Sequence, residues 1–471
     1  MSSEGRATPT TLLVALLCLV LSGCGGCGDT TPPLRLVVIT LDTLRYDGLH
    51  PEEGDKTTMP TTLALAEHGF RSTAFHTTSS STQPTHASLF TGSFPWEHGV
   101  TRNGLVLGDQ ETTLAEILHE AGFETRAVVA SFPLERHFGF AQGFDDYCDT
   151  FDERATTGQW NAFPVEDQRF HSFADRVADR AVASIDAARA PRQLFWFHFF
   201  DPHAPYGDAS SGSEVIGLPS LLRLASTNAP ETEERIRAAR ELYDRDVRHL
   251  DACLARVFTR LEQDRSRIPT FIVITSDHGE SFGEDGSLGH GRRVSRPQVH
   301  VPLVIVGPGI APRVEARAAS SVDVATTLLE LAFPGSGRTL GHGRNLLARV
   351  PSPSQVWGMR RTYDDEPQDL RRKDGTWRIV ELVENEFFVL RDGKLWAGDE
   401  GAAWNDDDGS PAPAGIAEDL KALFGHFARS LEGAVAVESL DARTRKALED
   451  LGYLEAGERE QEHGHEEERG N

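Results

Sequence analysis

Three short apolar runs, each closed by a carboxylate, constrain this chain more than any other feature. Leu34–Leu41 is rich in β-branched residues and stops at Asp42; the aromatic run 194–200 stops at Asp201; the run 269–275 stops at Ser276 and Asp277. Runs of this length without polar alternation read as strands buried on both faces, the hallmark of largely parallel sheets covered by helices. Helical patterns fall between them. Residues 59–68, 113–121 (ended by Gly122) and 170–188 read as helices, and Val247, Leu250, Leu254, Val257 and Leu261 form one apolar stripe at three- and four-residue steps. Further strands at 71–75, 125–130 and 301–306 and a helix at 322–331 extend the alternation. The prediction is an α/β fold: a doubly wound, largely parallel sheet with helices on both faces, spanning residues 34–347.

Beyond residue 347 the pattern changes. Residues 377–382 and 387–390 read as paired strands, 406–415 as a linker and 416–430 as a helix, so 348–454 is expected to form a smaller C-terminal α+β subdomain. Residues 207–234 are largely polar with a short apolar middle and read as a surface loop near the site. The last stretch, 455–471, holds seven Glu against two Arg and reads as an acidic, disordered tail, with His463 and His465 solvated.

The other end reads as an export signal. Arg6 precedes an apolar run, 12–21, too short to span a bilayer comfortably. It leads into Leu21-Ser22-Gly23-Cys24, which resembles a bacterial lipoprotein signal: residues 1–23 removed, Cys24 lipid-modified, 24–33 a tether. The expected location is the cell envelope, with membrane attachment through that lipid. Cys27, Cys148 and Cys253 then remain; three cysteines cannot all pair, and their spacing is not that of a zinc site. Acidic residues outnumber basic ones 72 to 47, a formal charge of −25. That surface repels phosphate backbones and excludes nucleic acid as an expected partner.

The hydroxyl-rich stretch Thr77-Thr78-Ser79-Ser80-Ser81-Thr82 runs into Gln83-Pro84 and a more apolar segment ending at Gly92. Pro84 disfavours helical geometry at Gln83, so a helix is expected to start near Pro84, with Thr82 in an extended turn ahead of it. The amides and dipole of that helix would then face Thr82 and an anion beside it.

Asp42, Thr82, Asp201 with His203, and Asp277 with His278 thus collect at one predicted sheet edge. Each alone is ordinary loop chemistry, since Asp caps helices and turns and loop histidines are commonly solvated. Together, two carboxylates and an imidazole suit a divalent cation, with zinc or manganese favoured over calcium by the nitrogen ligand. Such an ion would lower the pKa of the Thr82 hydroxyl.

At this point the chain resembles a sulfatase-like member of the alkaline phosphatase superfamily. The resemblance rests on Leu41-Asp42-Thr43-Leu44-Arg45-Tyr46-Asp47, the stretch from Thr82 to Gly92, Asp201-Pro202-His203-Ala204-Pro205-Tyr206, Ser276-Asp277-His278-Gly279-Glu280, Gly289-His290-Gly291, Val301-Pro302-Leu303 and Leu451-Gly452-Tyr453-Leu454. It implies metal ligands at Asp42, Asp277 and His278 with Thr82, a nucleophile at Thr82, and contacts of His203 and His290 with the transferred group or a second metal. It further implies substrate-facing roles for Asn103, His86 and Arg45. Substrates would be small-molecule, glycan or lipid esters of sulfate or phosphate.

Two departures bear on the chemistry. Sulfatases carry Cys or Ser for oxidation to formylglycine and an Arg four residues on; here those positions are Thr82 and His86. The β-carbon of threonine bears a methyl group and cannot become that aldehyde, so no formylglycine is expected. The resemblance therefore implies a hydrolase using Thr82 itself. A phospho-headgroup transferase at the membrane and a catalytically silent glycan-binding lipoprotein are the alternatives, and binding that survives Thr82→Ala without turnover would mark the latter.

Overall fold

The computed structural model describes residues 32–50, 57–154, 159–160, 163–164, 169–209, 214–349, 355–362, 368–391, 393–398, 405–406, 410–418 and 422. The signal and most of the tether, Cys24, Cys27, most of the 416–430 helix, the Leu451–Leu454 motif and the acidic tail lie outside these residues.

Eight strands make the central sheet: β1 Leu34–Leu41, β2 Phe70–Ser72, β3 Glu124–Val128, β4 Asp146–Cys148, β5 Arg192–Phe199, β6 Thr270–Ser276, β7 Leu303–Val306 and β8 Arg313–Glu315. Their order is β8-β2-β7-β6-β1-β5-β3-β4. All neighbours run parallel except at β7, which is antiparallel to both β6 and β2. The expected fold class is therefore the observed one.

The unbroken apolar runs follow from burial on both faces. In β1, Leu36 and Val38 join one core with Trp196 and Val273, whereas Val37 and Ile39 join the opposite core with Phe197 and Ile274. The longer helices among the described residues are α1 Pro60–Ala66, α2 Thr82–Thr91, α3 Leu114–Glu120, α4 Ala174–Ala187, α5 Leu218–Ser226, α6 Thr232–Gln263 and α7 Val322–Ala332. α2 and α7 sit on the first face, through Ala87, Leu89, Phe90, Val324 and Leu328. α6 covers the second face with the stripe read from sequence, Val247 to Leu261. Thr113 caps α3 through a reciprocal bond with Glu116, which explains that helix's sharp start.

Several boundaries differ from expectation. The 71–75 strand is two short ones, Phe70–Ser72 and Phe75–His76. The 170–188 helix begins at Ala174, because Arg169–His171 pairs with Glu153–Arg154 instead. The 207–234 region is not only loop. Its apolar middle is α5, with Leu221 and Ala225 buried in the core, and α6 begins at Thr232.

After residue 347 the strands among the described residues are β9 Gln355–Arg361, β10 Gln368–Lys373, β11 Thr376–Glu381, β12 Asn385–Arg391, β13 Lys394–Gly398 and β14 Asn405–Asp406, which pairs with β13 where the expected 406–415 linker begins. The two strands expected as partners, β11 and β12, do not pair. β10 and β11 form their own hairpin across Asp374-Gly375, both at positive φ (51° and 75°), the geometry that an Asp-Gly turn favours. β12 pairs with β9 and β13. This sheet meets the α/β domain beside the hydroxyl-rich loop, where the Met359 N–H donates to the Thr78 carbonyl at 2.9 Å.

Candidate active site

The site lies at the carboxyl ends of three adjacent parallel strands, β5, β1 and β6, where open α/β sheets bind ligands. Leu41 is level with Phe199 on one side and Ser276 on the other, so Asp42 and Asp277 leave the sheet side by side. Thr43 turns left-handed (φ 57°), and its N–H donates to Asp277 Oδ1 at 3.3 Å. The His278 N–H donates to the same oxygen at 2.9 Å. Asp42 Oδ1 and Asp277 Oδ2 are buried and accept no hydrogen bond within the protein.

His278 donates its Nδ1–H to the Gly279 carbonyl at 3.0 Å, leaving the Nε2 lone pair toward those two oxygens, 3.6 Å from each. Burial, then the neighbouring Asp277, pushes the Asp42 carboxyl well above its usual range. A divalent cation relieves that repulsion. Two orphaned carboxylate oxygens and an imidazole lone pair within 4.8 Å of one another fit such an ion.

Thr82 stands against this set, its Oγ1 3.4 Å from His278 Nε2. Contrary to expectation it is not in an extended turn. Ser81 is the extended residue (φ −140°, ψ 150°), and Thr82 opens α2 with Gln83 already helical. Tertiary bonds override the preference imposed by Pro84. Asn103 Oδ1 accepts the Gln83 N–H at 2.9 Å, while the Gln83 side chain donates to the Pro133 carbonyl at 2.6 Å and accepts from the Gly104 N–H. Pro84 falls in the first helical turn, where a missing N–H costs no intrahelical bond. Asn103 thus holds α2 by its start.

His203 and His290 stand beside His278, with ring centroids 5.0 Å from each other and 4.3 Å between His290 and His278. His203 donates Nδ1–H to the Ala204 carbonyl at 2.7 Å. His290 donates Nδ1–H to Glu280 Oε1 at 3.1 Å, and Glu280 Oε2 accepts the Tyr206 hydroxyl at 3.0 Å. Both imidazoles thereby keep an Nε2 lone pair. Burial lowers both, His203 to about 3. Gly291 permits the close approach of this loop to α2: at φ +80°, a Cβ there would lie 3.2 Å from Ser81 Oγ.

Two residues expected to face substrate do not. His86 is fully buried, its Nδ1–H donated to the Thr82 carbonyl at 2.8 Å and its Nε2 bonded to Thr40 Oγ1 at 3.0 Å. It lies behind Thr82. The Arg45 guanidinium is spent on Asp47, Glu284 and the Glu280 carbonyl, bracing the loop that carries Glu280. Asp201 stays outside the ligand set; burial and Asp246 raise its carboxyl. Sequence reasoning missed Glu280 and His198. The signal for His198 was a lone histidine in an otherwise apolar strand.

A buried carboxylate pair, an imidazole and a hydroxyl at the central strand ends of a doubly wound sheet define the alkaline-phosphatase-like class of esterases. The family model described as Sulfatase matches residues 35–334. The chain is 25% identical over 353 residues to a choline-sulfatase of Rhizobium meliloti, a match covering 64% of this chain and 68% of that one. Its fold is similar to that of the phosphonate monoester hydrolase SpPMH of Silicibacter pomeroyi (TM-score 0.60, 18% identity, 84% of this chain and 94% of that one). It is also similar to a 2-O GAG sulfatase (TM-score 0.61, 16% identity, 88% and 96%). The chain belongs to the sulfatase family and is a sulfatase-like hydrolase acting on sulfuric or phosphoric ester bonds.

Proposed function

We propose that this hydrolase uses Thr82 as its nucleophile, in place of formylglycine, on a divalent ion held by Asp42, Asp277 and His278. The observation that carries the reading is the 3.4 Å approach of Thr82 Oγ1 to His278 Nε2, where two orphaned carboxylate oxygens converge. The nitrogen ligand favours zinc or manganese over calcium. When bound, the ion neutralises the acids, acidifies the adjacent hydroxyl and stabilises charge on the non-bridging oxygens.

The chain's own groups do the rest. α2, clamped by Asn103 and His86, fixes the direction of Thr82 Oγ1. That oxygen attacks sulfur or phosphorus in line, and the bond to the ester oxygen breaks. The Thr82 proton passes to the Nε2 lone pair of His290 or His203 and then to the departing alkoxide. Water cleaves the resulting Thr82 ester, its proton restoring the hydroxyl. The substrate class is a sulfate, phosphate or phosphonate ester of a small molecule, glycan or lipid. Export and anchoring through Cys24 complete the proposal.

A panel of aryl sulfate, phosphate monoester, phosphodiester and phosphonate monoester, assayed with metal analysis and Thr82→Ala, tests it. Turnover lost in the variant supports the reading, and glycan binding without turnover of any ester in the native chain would replace it.

A further inference from the structure

A second cluster of ligand-type side chains lies directly behind the first. His86, His198 and Asp277 bring ring nitrogens and a carboxylate oxygen within 4.8 Å of one another, all three buried. By residue type this is another metal site. The hydrogen bonds argue otherwise.

Trp196 Nε1–H can only donate, and it donates to Thr40 Oγ1 at 3.0 Å. The Thr40 hydroxyl proton is then free to reach His86 Nε2 at 3.0 Å, which places the His86 proton on Nδ1, where the Thr82 carbonyl accepts it at 2.8 Å. His198 Nδ1 accepts the Ala130 N–H at 3.3 Å, so the His198 proton sits on Nε2. That Nε2–H has no partner within hydrogen-bond distance and faces Asp42 Oδ2 at 3.6 Å. His86 Nδ1–H likewise lies 3.9 Å from Asp277 Oδ2. Both nitrogens that face the carboxylates therefore carry protons. Neither has a lone pair for a cation.

We infer that His86 and His198 are a pair of positioning residues: His86 fixes the Thr82 end of α2, and His198 points its Nε2–H at the Asp42 carboxylate from behind, an electrostatic contact at 3.6 Å that biases the carboxylate's orientation. Level with Thr40 on the neighbouring strand, His198 stands two residues back from the ligand it steadies. Outer donors of this kind orient a ligand and commonly account for about 10- to 100-fold in metal affinity. The inference rests on the proposed metal role of Asp42, Asp277 and His278.

The test is Mn²⁺ binding to the full chain by chelator competition, with His198→Leu and His198→Gln. Leucine removes the donor and keeps an apolar filling; glutamine returns an N–H at similar reach. We expect His198→Leu to weaken Mn²⁺ binding about 10- to 100-fold, His198→Gln to recover most of that loss, and the metal-free thermal midpoints of the two variants to coincide. Should His198→Leu not fold, His198→Asn, too short to reach Asp42, replaces it. Native affinity in the donorless variant, or an equal loss in both variants, overturns the inference and leaves the proposed function standing. A second Mn²⁺ bound by the native chain and lost in His198→Leu overturns it too, in favour of a metal site. A native chain that binds no divalent ion overturns both readings together.

Discussion

Thr82 Oγ1 and His278 Nε2 lie 3.4 Å apart, beside the point where the Asp42 and Asp277 carboxylates converge. One residue opens a buried helix and the other follows a central strand, so the contact ties the nucleophile candidate to the ligand set through two regular elements. Thr82→Ser keeps the oxygen and should retain measurable ester turnover. Thr82→Ala should lose about 10³-fold or more in kcat, with Mn²⁺ binding still detectable. Steady-state kinetics beside metal titration separates the two effects.

Glu280 orients His290 from the far side of its ring. Glu280→Gln can present an N–H where Nδ1–H must be accepted, turning the imidazole or its tautomer. A loss of about 10- to 100-fold in kcat is expected, with little change in the thermal midpoint. An unchanged kcat would remove His290 from the proton path.

Stability should depend on pH through buried histidines that are not among the proposed ligands. Burial lowers His98 to about 3 and His171 to about 3. Each is neutral in the folded chain down to that range, while the unfolded chain takes up protons below about 6.5. Their contribution is fully present above about pH 6.5 and is lost as pH falls toward 3, by up to about 1.4 kcal/mol per pH unit per group. Thermal midpoints measured from pH 7 down to pH 4 should fall, and less steeply in His98→Gln.

A buried ion pair offers a control for stability alone. Arg35 Nη2 meets Asp264 at 3.1 Å at the start of β1, far from the strand ends that carry the site. Asp264→Ala leaves the guanidinium buried with Gln193 as its side-chain hydrogen-bond partner among the described residues, and it frees Arg260 and Arg267 from the same carboxylate. Denaturant titration should show a loss of about 3–5 kcal/mol. Metal affinity of the folded fraction should be unchanged.

The strands were readable because burial on both faces makes their centres continuously apolar, as in Leu36–Ile39 of β1 and Leu194–Phe197 of β5. The start of α2 was not. Every residue from Thr82 to Thr91 is buried, so the helix shows no solvent-facing polar side. Its entry is set by Asn103, which accepts the Gln83 N–H, and by the Gly104 N–H, which donates to the Gln83 side chain, rather than by local propensity. The β10–β11 hairpin was legible in Asp374-Gly375 but was hidden by the apolar runs that follow it. Of the site, Asp42, Asp277 and His278 follow from strand ends. The inward turning of His86 depends on Thr40, and that of Arg45 on Glu284 and the Glu280 carbonyl, contacts that spacing along the chain does not encode.

The most direct test of the central claim is mass spectrometry of the chain quenched in acid during turnover of a sulfate or phosphonate ester. A sulfo or phosphono adduct is expected on the peptide carrying Thr82, absent from Thr82→Ala. Turnover with no adduct on that peptide, or an oxidised aldehyde residue elsewhere carrying the group, would contradict that claim.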